Sequence, residues 1–290
     1  MPSLALLSSD RTPNNDNQRR ISAALGAAGW FIERFPHTAV GLRDGVVVAG
    51  NSPLDDFDLV WMLGLGSAED FLDRCQILAE LPPGRMVNSA SAMLELHAKH
   101  VCLPHAPPAA SGCDAASLLA YCAQRPDIER WVVKPSAGSF GRDIRVCASA
   151  DELERAITQA TAGDRYCVVQ AFIDEISTGE VRSLVVGGRI IGSYRRVPDR
   201  SYLANLSQGA RAQLCALSDA ERAQIEEVAA VLDSRGARFA AVDMAFPYLV
   251  ETNIANPGGL ATIAGLEGPS VPGQAPVNER LAAALGALLD

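Results

Sequence analysis

The sequence predicts a mixed fold, in which an α/β first lobe precedes a smaller middle lobe and a last lobe of α+β type. Three observations lead to this prediction. Apolar strands alternate with an amphipathic helix at the start of the chain, a lysine-bearing strand runs into a Gly/Ser loop near its middle, and two strands that carry polar ligand residues follow each other near its end. We expect the lobes to span residues 1–95, 96–175 and 176–290.

The first lobe alternates strand, helix and strand. Residues 3–8 and 58–63 are short apolar runs, which is typical of buried strands. Between them, residues 14–28 carry apolar side chains at helical spacing, and Gly29 is a typical helix end. This alternation predicts a small parallel sheet.

The middle lobe is expected to begin with a loop, because residues 103–110 are rich in proline and alanine. Further along, Ser149 and Glu152 fit a capping box that opens a helix through Ile157. Strands are predicted at residues 131–134, 144–146 and 166–170.

The last lobe combines hairpins with one long helix. Gly187 and Gly188 separate two apolar runs, and glycines suit the positive φ angles of a two-residue hairpin turn. Ser218 and Glu221 form a second predicted capping box, and Gly236 ends the helix that it opens. Predicted strands cover residues 183–186, 189–197, 239–245 and 248–253, and a terminal helix covers residues 278–289.

The bulk composition excludes several classes of protein. The net charge of -9 and the pI near 5 argue against nucleic acid as a partner, because such a protein needs a basic face. No apolar run is long enough for a membrane helix, and the N-terminal one is too short for a signal peptide. The seven cysteines show no C-x-x-C pair, so we expect reduced thiols, a cytoplasmic location and no membrane partner.

Lysine is rare in this chain. Of its 25 basic residues only Lys99 and Lys134 are lysines, and the rest are arginines. A retained lysine suggests a need for a compact ammonium group, which the planar guanidinium of arginine replaces poorly. Codon bias and chance explain the same observation equally well.

A Gly/Ser loop follows Lys134 at the end of a predicted strand. Small residues at 136–141 allow backbone N–H groups to approach phosphate oxygens closely, with the lysine beside them as a point charge. The loop matches neither the P-loop pattern nor the Rossmann glycine pattern. Taken alone, it also fits an ordinary turn between two strands.

Asp243, Glu251 and Asn253 lie on two adjacent predicted strands. Glu251 and Asn253 share one face of their strand because side chains alternate along it. Two carboxylates and an amide oxygen suit a magnesium ion shared with substrate phosphates. Carboxylates exposed at strand ends are the alternative interpretation.

Three histidines and one cysteine fall close together around Lys99, and such a cluster suggests zinc as an alternative. They lack a second ligand pair downstream, and their spacing better fits a solvated helix end that runs into a loop. The residues concerned are His97, His100, Cys102 and His105.

Five short motifs follow one another in the second half of the chain. They are Val132-Val133-Lys134-Pro135, Gly179-Glu180-Val181-Arg182, Arg196-Val197-Pro198, Ala204-Asn205-Leu206 and Glu251-Thr252-Asn253-Ile254. Together they resemble the ATP-grasp family, particularly its glutathione synthetase and ribosomal-protein glutamate ligase branch, over about residues 99–260. The resemblance implies an ATP-grasp fold, in which a Rossmann-like domain precedes a central lid lobe and a C-terminal lobe.

The resemblance implies a role for each matching residue. Two lysines would bind phosphates, a mobile loop would close on them, a hinge would bind adenine through its backbone, and a glutamate would hold the ribose. The residues so assigned to ATP are Lys99, Lys134, Gly138, Ser139, Phe140, Gly141, Gln170, Ala171, Phe172, Ile173, Glu180 and Arg211.

The resemblance also implies catalytic residues and metal ligands. Arg182 and Arg196 would stabilise phosphoryl charge and the acyl phosphate, and Asn205 would contact phosphate or substrate. Two Mg²⁺ ions, with Mn²⁺ as an alternative, would be bound by Asp243, Glu251 and Asn253.

The implied reaction is an ATP-dependent ligation of a carboxylate to an amine through an acyl phosphate. The partners would be small-molecule substrates, with an amino acid such as glutamate added to a small peptide or to a methanopterin-like or folate-like cofactor. Residues 255–259 and the Gly/Ser loop depart from the glutathione synthetase pattern, which puts glutathione synthesis itself in doubt. A non-catalytic ATP-binding regulatory module and a small-molecule kinase are the alternatives, and a homo-oligomer is left open.

Overall fold

The computed structural model describes residues 1–9, 17–82, 84–136, 143–198, 209–268 and 274–289. Gly138, Ser139, Phe140, Gly141 and Asn205, to which the resemblance gives functional roles, lie outside these ranges.

The first lobe contains the predicted parallel sheet. Strand β1 lies between β2 and β6 and runs parallel to both, which confirms the prediction from the strand, helix, strand alternation. Helix α1 buries Ile21 and Leu25 of the predicted apolar face, but the third residue of that face, Ala28, is exposed and lies beyond the end of the helix. The elements are β1 (Ser3–Ser8), α1 (Asn17–Ala27), β2 (Phe31–Phe35), β3 (Val40–Arg43), β4 (Val46–Ala49), β5 (Ser52–Pro53), β6 (Leu59–Leu63), α2 (Phe71–Leu78) and α3 (Ala90–Leu96).

The middle lobe is an antiparallel sheet covered by two helices. The elements are β7 (Ala109–Gly112), α4 (Ala115–Ala123), β8 (Trp131–Pro135), β9 (Arg145–Cys147), α5 (Ala150–Thr161) and β10 (Cys167–Ala171). The strand order is β7-β10-β8-β9. The loop predicted for residues 103–110 is wrong at its end, because Ala109 and Ala110 belong to β7 and pair with β10. Pairing with a neighbouring strand overrides the turn-like composition.

The last lobe is a five-stranded antiparallel sheet with the order β13-β12-β11-β14-β15. Gly187 and Gly188 turn between β11 and β12 with φ angles of 53° and 72°, which confirms the predicted hairpin. That hairpin begins earlier than expected, at Glu180 instead of residue 183. The elements are β11 (Glu180–Val186), β12 (Arg189–Val197), β13 (Arg211–Leu214), α6 (Asp219–Ser234), β14 (Phe239–Ala245), β15 (Tyr248–Asn253), α7 (Leu260–Glu267) and α8 (Val277–Gly286). Within the described ranges, no helix has the length and apolar character needed to cross a bilayer.

The two predicted capping boxes differ in the structure. At α6, the Ser218 hydroxyl accepts from the Glu221 N–H and the Glu221 carboxylate accepts from the Ser218 N–H, so this box is confirmed. At α5, Ser149 accepts from the Glu152 N–H, but the Glu152 carboxylate accepts from Ala148 instead of Ser149. The capping box predicted for Ser149 and Glu152 is therefore right for the cap and wrong for its reciprocal bond.

The first and last lobes share their hydrophobic cores. Leu6 and Trp61 belong to the same buried cluster as Phe239 and Leu281, and the Trp61 and Phe239 rings meet edge to face at 4.8 Å. The buried Asn88 side chain donates to the Phe239 carbonyl at 2.8 Å and accepts from the Phe239 N–H at 2.8 Å. The middle lobe has a separate core that includes Trp131.

Candidate active site between the middle and last lobes

A cleft between the middle-lobe and last-lobe sheets brings most of the predicted site residues together. The space between the sheets, including its opening to solvent, amounts to about 750 Å³. The lining residues are Lys99, Val132, Lys134, Ile144, Val146, Gln170, Ala171, Phe172, Ile173, Ile176, Glu180, Arg196, Asp243, Val250 and Glu251. Apolar side chains and charged groups thus share one cavity, an arrangement that suits a ligand with a flat base and phosphates.

The two lysines approach the cleft from different elements. Lys134 lies on β8, and its ammonium donates to the Gln170 side-chain oxygen at 2.6 Å. Burial lowers the pKa of Lys134 from 10.5 to about 8, because a charged ammonium is poorly solvated there; Glu251 partly offsets this effect and Lys99 adds to it. The Lys99 ammonium lies 3.6 Å from Glu251, and the Lys99 N–H donates to the Ser136 carbonyl at 2.8 Å.

The predicted hinge begins where β10 ends. The Ala171 N–H donates to the Pro108 carbonyl at 2.9 Å, and the Phe172 N–H donates to the Arg130 carbonyl at 3.0 Å. The Arg130 guanidinium also lies over the Phe172 ring, 4.1 Å from its centroid. Because these two N–H groups are used within the protein, a base bound at the hinge must use other backbone groups, such as those of Ile173.

Asp243 is the centre of a buried cluster of charges. The Arg182 guanidinium donates two hydrogen bonds to the Asp243 carboxylate, from Nε to Oδ1 at 2.7 Å and from Nη2 to Oδ2 at 2.6 Å. Arg196 Nη2 lies 2.9 Å from Oδ2 of the same carboxylate. This geometry arises because β11 pairs with β14 so that Arg182 lies directly opposite Asp243. Burial alone would raise the pKa of Asp243, but the two guanidinium groups outweigh it and hold that pKa below its usual range.

Glu180 lies beside the same cluster and pairs with Arg196. Both side chains are only 5% exposed. Burial raises the pKa of Glu180 to about 7, since Arg196 offsets only part of the desolvation and the carboxylate of Asp243 opposes a second negative charge. The ribose-binding residue that the resemblance assigns is therefore a carboxyl group that titrates near neutral pH.

The residues assigned to metal binding are neighbours. Asp243 and Glu251 are direct cross-strand partners on β14 and β15, and the Asn253 amide donates to Asp243 Oδ2 at 3.4 Å. Their oxygen atoms fit a hard divalent cation. The described part of the chain contains no group of three or more His, Cys, Asp or Glu residues suited to a metal. The three residues assigned here do not form such a group, because one of them, Asn253, is an asparagine. A cation there must also compete with Arg182 for Asp243.

Other candidate residues lie elsewhere. Arg211 is exposed on the edge strand β13 opposite Val197, and it is not among the described residues that line the cleft. His105, from the zinc alternative, bonds to Glu227 on α6 at 2.9 Å. His97 was set aside with the zinc cluster, yet it lies within electrostatic range of the site: burial lowers its pKa, Glu251 raises it and Lys99 lowers it.

This fold defines a class of enzyme, the ATP-grasp ligases. The family model for the prokaryotic glutathione synthetase ATP-grasp domain matches residues 103–268. The chain therefore belongs to the ATP-grasp glutathione synthetase family. It is a carboxylate–amine ligase that forms C–N bonds and acts on small-molecule or peptide substrates, and ATP-grasp enzymes use ATP and a divalent metal.

Known proteins agree with this assignment. A glutathione synthetase of Gloeobacter violaceus is 29% identical over 243 residues, which cover 77% of this chain and 72% of that protein. A glutathione synthetase of Anaplasma centrale is 30% identical over 251 residues, which cover 83% of this chain and 75% of that protein. Among solved structures, the D-cycloserine synthetase DcsG has the same fold, with a TM-score of 0.70 and 17% identity over 99% of this chain and 100% of DcsG.

Proposed function

We propose that this ligase uses Mg²⁺-ATP to phosphorylate the carboxylate of a small acid and then joins that acid to the amine of a second substrate. An amino acid such as glutamate is the proposed addition, and a small peptide or a carboxylate-bearing cofactor is the proposed partner. The observation that carries the proposal is the convergence of Arg182 and Arg196 on Asp243, beside a cleft that Arg196 and Asp243 line together with Lys99 and Lys134. Four cations around one cleft suit a reaction that moves a phosphoryl group.

The chemistry needs charge stabilisation more than a side-chain nucleophile. A carboxylate oxygen of the acid attacks the γ-phosphorus of ATP, the bond to the β-phosphate oxygen breaks, and ADP leaves. The amine then attacks the acyl carbon, and inorganic phosphate leaves with its bonding electron pair. In this proposal Lys134 and Lys99 bind the phosphates, and Arg182 and Arg196 stabilise negative charge on the transferred group.

The proposed metal ligands are Asp243, Glu251 and Asn253. A bound Mg²⁺ ion supplies positive charge to the phosphate oxygens at this end of the cleft. With Asp243 bound to such a cation, the Arg182 guanidinium that now contacts Asp243 would be free to bind phosphate instead. The apolar residues of the cleft, such as Val132 and Val146, would cover the base and keep water away from the acyl phosphate.

The substrate proposal rests on the relatives and on the sequence. The names of the similar proteins, glutathione synthetase and D-cycloserine synthetase, favour substrates of amino-acid size. Residues 255–259 read Ala-Asn-Pro-Gly-Gly and depart from the glutathione synthetase pattern next to the proposed metal ligands. We therefore propose a small acid and an amino-acid amine, with glutathione as one product to be tested.

The test measures release of ADP and phosphate across a matrix of amino acids and candidate carboxylates, with Mg²⁺-ATP present throughout. The expected result is release that needs both partners and that Lys134→Ala abolishes. Arg195→Ala is the matched control, because Arg195 lies on the same strand as Arg196 but pairs with Glu221. It should retain activity.

Other outcomes would overturn the ligase proposal. Release of ADP without phosphate, accompanied by a phosphorylated product, would identify a kinase. Binding of ATP in a thermal-shift assay without turnover for any pair, including glutathione precursors, would favour a regulatory module.

A further inference from the structure

The loop that follows the proposed metal ligand Asn253 is held by its carbonyl groups. We call residues 254–258 the post-ligand loop; it connects β15 to the start of α7. Four of its five carbonyl oxygens accept identified hydrogen bonds, three from the first lobe and one from β11. The donors are Asn88 to Ile254 at 2.7 Å, the Gly64 N–H to Ala255 at 2.8 Å, Asn17 to Pro257 at 2.8 Å, and Arg182 to Gly258 at 3.3 Å.

Asn17 makes the most specific of these contacts. Its side chain is only 1% exposed at the start of α1, and its amide donates at 2.8 Å both to the Pro257 carbonyl and to the Asn256 side-chain oxygen. An amide can donate two hydrogen bonds in fixed directions, so Asn17 fixes the position and the orientation of the loop. The contact spans 239 residues of sequence and therefore depends on docking of the first lobe.

We infer that Asn17 is a positioning residue, through which the first lobe fixes the metal ligand Asn253 and the guanidinium of Arg182. The inference rests on the proposed function, because it concerns the metal–nucleotide site. Loss of the Asn17 bonds frees the loop that directly follows Asn253 and holds Arg182 through the Gly258 carbonyl. Binding of a metal–nucleotide complex should weaken, whereas binding of the base and ribose in the cleft should not.

The experiment compares Asn17→Ala and Asn17→Asp with wild type. Asn17→Asp keeps the shape but places a carboxylate against two acceptor oxygens, and Asn17→Ser is the alternative if Asn17→Ala does not fold. Calorimetry measures Kd for ADP with Mn²⁺ and for ADP with EDTA. We expect Kd for Mn²⁺-ADP to rise about tenfold, because the variants must order the loop when the metal binds, and Kd for ADP in EDTA to stay within about twofold. Asn51→Ala, at an exposed asparagine of the same lobe, is the control and should change neither value.

Hydrogen exchange provides a second readout that needs no ligand. Amides of residues 254–260 should exchange faster in the Asn17 variants, while the middle-lobe core around Trp131 keeps its protection. Equal changes in both Kd values, or unchanged exchange in the loop, would overturn the inference. Failure of the ligase assay leaves this test intact, since neither readout uses the acid or the amine.

Discussion

Replacing Lys134 with methionine should stabilise the protein and weaken nucleotide binding. The ammonium is buried, and burial lowers its pKa from 10.5 to about 8. One pH unit corresponds to about 1.4 kcal/mol, so the charged group destabilises the folded state by roughly 3 kcal/mol at pH 7. Methionine has a similar volume but leaves the Gln170 oxygen without its donor, which costs about 1 kcal/mol. The net gain in the free energy of unfolding is about 2 kcal/mol.

The pH dependence identifies the cause of this gain. The unfolded chain binds the Lys134 proton more tightly than the folded protein does, so the destabilisation is complete below pH 8 and fades as the pH approaches 10.5. Urea unfolding of wild type and Lys134→Met at pH 7 and at pH 9.5 measures this trend. The difference between the two proteins should shrink at the higher pH, and Kd for ATP should rise about 10- to 100-fold at pH 7 in the variant.

Lys99→Met is the matched control for this prediction. It removes the cation 3.6 Å from Glu251 and leaves that carboxylate without its ion-pair partner, so we expect it to destabilise the protein. A Lys134→Met protein that is less stable than wild type at pH 7, or a gain that does not change with pH, would refute the reasoning about buried charge.

Four further predictions follow from single contacts. Arg182→Lys keeps the charge but loses the bidentate hydrogen bond to Asp243, and it should lower the rate of amide formation about 10- to 100-fold in a product assay. Asp243→Asn leaves the buried Arg182 guanidinium without its carboxylate, while Arg196 keeps only Glu180, and it should lower the free energy of unfolding by about 3–5 kcal/mol in urea at pH 7; because the folded pKa is depressed, this difference should shrink as the pH falls below about 4. Ser218→Ala should lower that free energy by about 1 kcal/mol without changing Kd for ADP. Gly179→Ala places a Cβ 2.8 Å from the Arg196 carbonyl at a φ of 103°, so it should destabilise the protein by at least about 1 kcal/mol and reduce activity.

Each of these predictions has a contradicting result. Full activity of Arg182→Lys would mean that charge alone suffices, and a stable Asp243→Asn protein would mean that the cluster is well hydrated. A Ser218→Ala protein with altered nucleotide binding would link α6 to the site. Wild-type stability of Gly179→Ala would show that the backbone there can rearrange.

Local patterns predicted much of the fold. The Gly187-Gly188 turn and the Ser218 capping box depend on residues next to each other in sequence, and both are confirmed. The alternation of side chains placed Glu251 and Asn253 on one strand face, and pairing of β14 with β15 brings Asp243 opposite Glu251. Such features could be predicted because their geometry follows from a few adjacent residues.

Contacts between distant segments could not be predicted in this way. The register of β11 against β14 places Arg182 opposite Asp243, and nothing within either strand specifies that register. Asn17 stands in the polar run Asn-Asn-Asp-Asn-Gln, where no pattern separates the buried amide from its neighbours. The start of β7 was expected to be loop from its Pro/Ala-rich composition, and the pairing that makes it a strand could not be predicted because its partner, β10, lies more than 50 residues further along the chain.

The shared core of the first and last lobes has a consequence for synthesis of the chain. The middle lobe can complete its core as soon as Val169 has left the ribosome, because that core draws on no later residue among those that the structure describes. Trp61, in contrast, waits for its ring partner Phe239, and the roughly 180 residues between them take on the order of 10 to 40 seconds to translate. During that interval the nascent first lobe exposes an apolar face, so it is the part of the chain that most needs a chaperone. A stop codon shortly before Phe239 would leave the Trp61 ring without this partner.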